Sequence, residues 1–176
     1  MKLTLSCIGI ILSLALNTAY AAEATAAKSD NDGKIVEILI VLNNNEISAA
    51  EAALKKADNK LDIEYAHMMK KDHTENLDQT LKISHEIHQA PVASDTSEKM
   101  KEEGKQSLDA LSGLDKSALD KEYMNAMVKG HQDALKLIDD QLQVVQNAKL
   151  KSHLEATRTH VNHHLEKALE DQKEIH

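Results

Sequence analysis

Phenylalanine and tryptophan are absent from this chain, and proline occurs once in 176 residues. A core without those rings must be assembled from Leu, Ile, Val, Met and Ala. With one Pro and five Gly, little in the chain interrupts a helix. Lys, Glu, Asp and Gln between the aliphatic positions complete a composition that predicts helices packed on helices. The one cysteine, Cys7, excludes an internal disulfide, and it falls in an N-terminal leader rather than in the domain. A basic excess is missing as well: 21 Lys and Arg stand against 29 Asp and Glu, a formal net charge of −8. Nucleic acid and anionic lipid are held by clustered cations, and no such cluster stands out, so both partner classes are excluded on this reading. No nucleophile elbow, phosphate loop, HExxH pair or Rossmann glycine pattern occurs, so no catalytic frame is read and binding is favoured over turnover.

The one sustained apolar run, residues 3–16, follows Lys2 and ends before the small-x-small triplet Ala19, Tyr20, Ala21. That order predicts a secretory signal peptide over 1–21, hence a periplasmic or secreted protein. The run is too short for a comfortable membrane span, and no later segment supplies one. Cys7 has too little apolar chain ahead of it to serve as a lipoprotein site. Loss of Lys2 with the leader shifts the net charge from −8 to −9. Residues 22–33, rich in Ala, Thr, Ser, Asp and Asn, predict a flexible leader. The folded domain is expected over 34–176.

Within that domain, apolar residues recur at helical spacing in four long stretches, about 34–57, 61–88, 117–146 and 150–174. A shorter helix from Asp95 to about Leu111 lies between the second and third, after the break at Pro91. The fold class expected is therefore all-α, a four-helix bundle with a short extra helix between the second and third long helices. Asn43, Asn44 and Asn45 interrupt the first stretch with poor helix formers and predict a kink there.

One frame occurs twice. Tyr65, Met69, Lys71 and His73 match Tyr123, Met127, Lys129 and His131 at the same spacing, offset by 58 residues. Positions i, i+4 and i+8 of a helix drift by only about 80°, so Tyr, Met and His share a face. Each His also continues an apolar stripe: His73 leads to Leu77 and Leu81, and His131 leads to Leu135, Ile138 and Leu142. His164 lies in phase with Val161 and Ala168, with His160 one turn earlier, and Glu46 stands between Leu42 and Ala49. Each long helix thus places a polar ionisable residue on its inner face. The remaining histidines (His67, His85, His88, His153, His163, His176) are out of phase or terminal and read as surface residues.

Two readings follow. In the first, Glu46, His73, His131 and His164, joined by His160, converge at one level and hold a transition metal ion. Neutral imidazole with carboxylate suits Zn, Cu, Ni or Fe. Met69 and Met127 would add thioether donors suited to Cu(I), or they merely fill a core that lacks Phe. In the second, the histidines are hydrogen-bonded core residues of a structural or protein-interaction module of the cell envelope. Neither reading fixes a protein partner, and both accommodate a homo-oligomer.

The residues Glu46 with its Ala-rich continuation, Ala66-x-x-Met69-x-x-Asp72-His73, Asp120-x-x-Tyr123-x-x-x-Met127-Val128-x-x-His131 and His164-Leu165-x-x-Ala168 carry a resemblance. Over roughly residues 34–173 the chain resembles a family of exported bacterial proteins of unknown function, ferritin-like helical bundles often labelled outer-membrane or membrane proteins. The resemblance implies an exported ferritin-like four-helix fold and no established activity. Carboxylate-bridged di-iron bundles need Glu three residues before a ligand His. Here those positions hold Lys70, Val128 and Val161, so iron oxidation and storage are not expected.

Overall fold

The computed structural model describes residues 15–175, with side chains described from residue 30 to residue 174. The part of the expected signal peptide before residue 15 lies outside the described residues. Five α-helices follow in order: α1 (Ala15–Lys56), α2 (Lys60–Glu86), α3 (Asp95–Gly113), α4 (Lys116–Val144) and α5 (Ala148–Ile175). Among the described residues there is no strand and no helix long and apolar enough to cross a membrane.

Capping explains most of the boundaries. Asn59 accepts from the Leu61 amide at the start of α2, and Asp115 accepts from Ala118 at the start of α4. Ser94 and Ser97 form a reciprocal capping box at the start of α3. Helix α2 ends in a Schellman turn: the Gln89 amide donates to Ser84 O and the His88 amide to His85 O. His88 occupies its left-handed position at φ 54°, a place that favours glycine.

Helices α1 and α2 form one antiparallel pair and α4 and α5 another. The pairs meet along α1–α4 and α2–α5, and α3 lies across α1. Asn45 donates to Met100 O, Lys101 pairs with Glu37, and Lys56 donates to Ser112 O and Leu114 O, which fasten α3 to that face. Two apolar clusters fill the interior. One gathers Tyr65, Met69, Leu119, Tyr123, Met124 and Ala168; the other gathers Ile35, Leu39, Ile83, Ile138, Leu154 and Val161. The tyrosine rings of the first meet edge to face at 6.2 Å, worth about 0.5–1.5 kcal/mol beyond their burial. On α2, α4 and α5 the buried residues between these clusters are polar (His73 with Thr80, His131 and His164), and on α1 buried Asn43 stands there beside Val41 and Leu42.

Several expectations are corrected. The stretch 22–33, expected as a flexible leader, belongs to α1. At residues 31–33 the helix is already packed: Asp32 is buried and accepts from the Gln146 and Asn147 amides ahead of α5, and Asn31 donates to Val144 O. Gly33 O accepts from the Val92 amide, and a Cβ at Gly33 would come within 2.8 Å of Ala90 O, so the approach needs glycine. Two carboxylate hydrogen bonds to otherwise free amides give this polar stretch a fixed place that composition does not reveal. Helix α1 also runs through Asn43 to Asn45 without a break, because Asn43 is buried and donates to Leu39 O four residues back. Leu81, expected on the inner stripe of α2, is 47% exposed, and Thr80, Ile83 and Ser84 are buried instead. Steps of four overshoot the helical repeat by about 40° each, so two of them carry Leu81 off the inner face that Thr80 keeps.

Candidate metal centre

Three of the five expected ligands come together. His73 of α2, His131 of α4 and His164 of α5 lie in the polar waist, exposed by only 3%, 1% and 2%. Their ring centroids are 5.3 to 6.1 Å apart, and one ligand-capable atom from each lies within 4.8 Å of the other two. Among the described residues this is the one group of three or more His, Cys, Asp or Glu able to hold a metal ion.

The hydrogen bonds fix how the rings are protonated. His73 Nδ1 lies 2.9 Å from Asn43 Oδ1, an oxygen that can only accept, so this nitrogen carries the proton. His131 Nδ1 donates to Met127 O at 2.8 Å, and His164 Nε2 donates to Asp72 Oδ2 at 3.1 Å. The amide of Asn43 is oriented in turn, since its Nδ2 donates to Leu39 O and to Asn76 Oδ1. Each imidazole therefore keeps its lone pair on the opposite nitrogen: Nε2 of His73, Nε2 of His131 and Nδ1 of His164. Those three buried nitrogens have no hydrogen-bond partner. A metal-bound histidine characteristically gives its other N–H to a carboxylate, carbonyl or water, and here a carboxylate, a backbone carbonyl and a side-chain carbonyl accept those three protons.

Electrostatics keep the rings neutral. Burial pushes His131 and His164 down to about 4, opposed by the hydrogen bonds to Met127 O and Asp72. Burial also holds His73 well below its ordinary value, helped by the charges that His164, His131 and His160 would carry. Asp72 feels burial first, which raises it, but hydrogen bonds from His164 and Lys71 outweigh that and leave it lowered. An anionic Asp72 thus faces a neutral imidazole triad whose free nitrogens are electron-pair donors. Three imidazole nitrogens bound at 2.0–2.1 Å in tetrahedral array would sit about 3.3 Å apart, within reach of modest side-chain adjustment.

The whole of this waist matches a described family. The Domain of unknown function DUF4142 matches residues 17–170, which includes all three histidines. The chain belongs to the DUF4142 family. No curated protein matches it. Two solved structures resemble this DUF4142 chain in fold. One is a DUF305 fragment from Deinococcus radiodurans, 12% identical, with a TM-score of 0.72 over 82% of this chain and 96% of that one. The other is a DUF305 protein of Streptomyces coelicolor described as a candidate secreted protein. It is 10% identical, with a TM-score of 0.62 over 84% of this chain and 90% of that one. At such identities the likeness extends to the fold and no further. An exported family of unknown function was expected from the residues, and the match supplies a family of unknown function.

The other two expected ligands lie outside the triad. The α1 residue that touches it is Asn43, which the sequence reading treated as a helix defect. Glu46, one turn further along the DUF4142 chain, instead lines a groove toward α3 and α4, with its Oε1 beside Gly130. Its Oε2 is buried without a partner, and burial lifts the carboxyl to about 7. His160 is exposed in a cleft with Asp72, His163 and His164. His153, expected at the surface, is 7% exposed and its Nε2 lies 2.8 Å from Thr80 Oγ1. Its inner position follows from Leu150 and Thr157, three residues before and four after, both buried. Met69 and Met127 belong to the apolar cluster around the tyrosines. Asn43 could have been found from its phase, since it stands four residues after Leu39 and three before Glu46. Asp72 could not, because it sits beside the stripe and acts only through His164.

Proposed function

We propose that this DUF4142 protein is an exported helical-bundle protein that binds a transition metal ion through His73, His131 and His164. The observation that carries the reading is the set of three buried imidazole nitrogens without partners, each turned toward the others by a hydrogen bond on the opposite side of its ring. An unsatisfied buried polar atom costs about 1–3 kcal/mol, and three at one place call for a shared partner. A cation satisfies all three lone pairs, whereas a water has only two protons to give. The donor chemistry suits Zn, Cu, Ni or Fe and disfavours Mg and Ca, which take oxygen ligands. Asn43, the Met127 carbonyl and Asp72 act by orienting the rings, and Asp72 adds one negative charge beside the ion. In this reading the role is binding, as in metal buffering in the envelope, rather than turnover.

The same reading takes α1, α2, α4 and α5 as a ferritin-like four-helix bundle with α3 as an insertion. It takes residues 1–21 as a signal peptide directing the chain to the periplasm or outside. The description of the Streptomyces coelicolor protein and the resemblance of the motifs both favour export. The ferritin comparison is of architecture only, since no bridging carboxylate accompanies the triad. The competing reading, a structural module with core histidines, is favoured by the mutual ring packing at 5.3 to 6.1 Å.

Metal analysis separates the two. Protein purified without an affinity tag from its own compartment should carry about one equivalent of a transition metal. X-ray absorption at that metal's edge should show imidazole nitrogens at about 2.0–2.1 Å. A protein that remains metal-free after exposure to Zn(II), Cu(II), Cu(I) and Ni(II) supports the structural module.

A further inference from the structure

A second polar feature lies outside the triad. Between α1, α3 and α4 runs a groove of about 790 Å³, within the usual size of a small-molecule site. It exists because α4 presents Ala126, Gly130 and Ala134 at four-residue spacing, leaving that face almost bare. Leu42, Met100, Met127 and Leu137 supply apolar wall. A Cβ at Gly130 would stand 3.7 Å from Glu46 Oε1, so the bare position opens the groove onto the carboxyl.

Charge decides what such a groove accepts. Four other ionisable side chains line it, and they are paired among themselves: Lys99 with Glu103 at 3.5 Å, and Lys129 with Asp133. No lysine is left to serve Glu46, whose Oε2 is buried without a partner. A carboxylate withdrawn from water is strongly disfavoured unless a cation and hydrogen-bond donors meet it. An ammonium supplies both at once, with three N–H donors on one charge. The chain's net charge of −8 would draw cations toward it in general.

We infer that this groove is a binding site for a small organic amine, its ammonium held by Glu46 and its apolar body lying along Leu42, Met100, Met127 and Leu137. The inference is independent of the metal reading, because Glu46 is not a member of the triad. A neutral ligand would leave the carboxylate unpaired, and an anionic one would face it directly, so the site discriminates by charge as well as by shape.

Titration calorimetry with n-hexylamine, 1-hexanol and hexanoate at pH 7 tests it, with the full protein as purified. The wild type should bind the amine at least about tenfold more tightly than the alcohol, with hexanoate weaker still. Glu46→Gln keeps the shape of the residue and should bring the amine down to the level of the alcohol. Ser107→Phe, placed on the exposed α3 wall, should weaken amine and alcohol alike while leaving Glu46 in place. Glu103→Gln should change neither by more than about twofold. The inference is overturned if the wild type shows no saturable amine binding, if alcohol and amine bind equally, or if Glu46→Gln binds the amine as the wild type does.

Discussion

Acid should barely weaken metal binding until well below the pH at which ordinary histidines protonate. Free imidazoles titrate near pH 6.5, and a metal must displace any proton they carry. With such ligands, a change from pH 7 to pH 5 would cost roughly 25-fold per histidine, on the order of 10⁴ for three. In this fold, burial holds His131 and His164 near 4 and His73 well below its usual value. At pH 5 the His131 and His164 rings are then each about nine-tenths neutral, so together they cost only about 1.2-fold, and His73, lowered in the same direction, stays on the neutral side of its ordinary range. The same shifts act on stability. The folded pKa values lie below the unfolded ones, so the contribution of the neutral rings is fully present above about 6.5 and is lost as pH falls toward 4. A shift from 6.5 to about 4 amounts to about 3 kcal/mol per ring as an upper bound. Titration should therefore use Co(II), followed by its visible absorption, at pH 7, 6 and 5, with circular dichroism verifying the fold at each point. A fall in affinity of a thousandfold or more between pH 7 and pH 5, with the helices intact, would refute the claim that burial pre-empties these nitrogens of protons.

The groups around the triad make further predictions. Asp72→Asn, which removes the charge that orients His164, should weaken metal affinity by about 10- to 100-fold in competition titration. Asn43→Ala removes hydrogen bonds to Leu39 O, Asn76 and His73 and should cost about 2–4 kcal/mol by urea denaturation. Asp62 is fully buried, and burial, then the charge and hydrogen bond of Asp120 and the charge of Asp171, lift it to about 7. Its folded pKa is raised, so its contribution to stability is present below about 4 and lost as pH rises through 7. Asp62→Asn should accordingly gain stability over the wild type at pH 8 relative to pH 5, measured by paired melts. His88→Gly should stabilise by about 1 kcal/mol, since φ 54° costs a side chain roughly that much.

Much of the fold was legible because helical periodicity is a strong signal in a chain this poor in Pro and Gly. The break expected at Pro91, the end expected near Leu111 and the gap expected between 146 and 150 fall at or within a few residues of helix ends. The three histidines were legible for the same reason, each being an ionisable residue in phase with an apolar stripe. What periodicity could not give is which neighbouring turn faces the triad. Asn43 and Glu46 share one stripe of α1, three residues apart, and only packing decides that Asn43 meets His73 while Glu46 turns toward Gly130. Asn43 also shows how propensity misleads: a residue that weakens an isolated helix is retained where its amide bonds a neighbouring ring. Asp72 escaped notice because it acts through His164 of another helix, and a one-dimensional pattern carries no trace of a hydrogen bond between helices; the Met127 carbonyl, four residues before His131 on the same helix, is a backbone acceptor that side-chain phase does not mark. His153 was misjudged for a related reason, as a polar belt with Thr80 and Thr157 occupies positions that apolar residues would otherwise mark.

The central claim is that His73, His131 and His164 act together on one metal ion, and thermal unfolding of three proteins with Zn(II) tests it most directly. Wild-type protein, His131→Ala and His85→Ala would be melted with and without Zn(II) at about a hundred times the measured Kd. Binding to the native state alone should stabilise by about 2.7 kcal/mol, or roughly 5–10 °C for a domain of this size. His85 is exposed and lies outside the triad, so its variant should show the wild-type shift, whereas His131→Ala should show none. Equal shifts in all three proteins, or no shift in the wild type, would contradict the account.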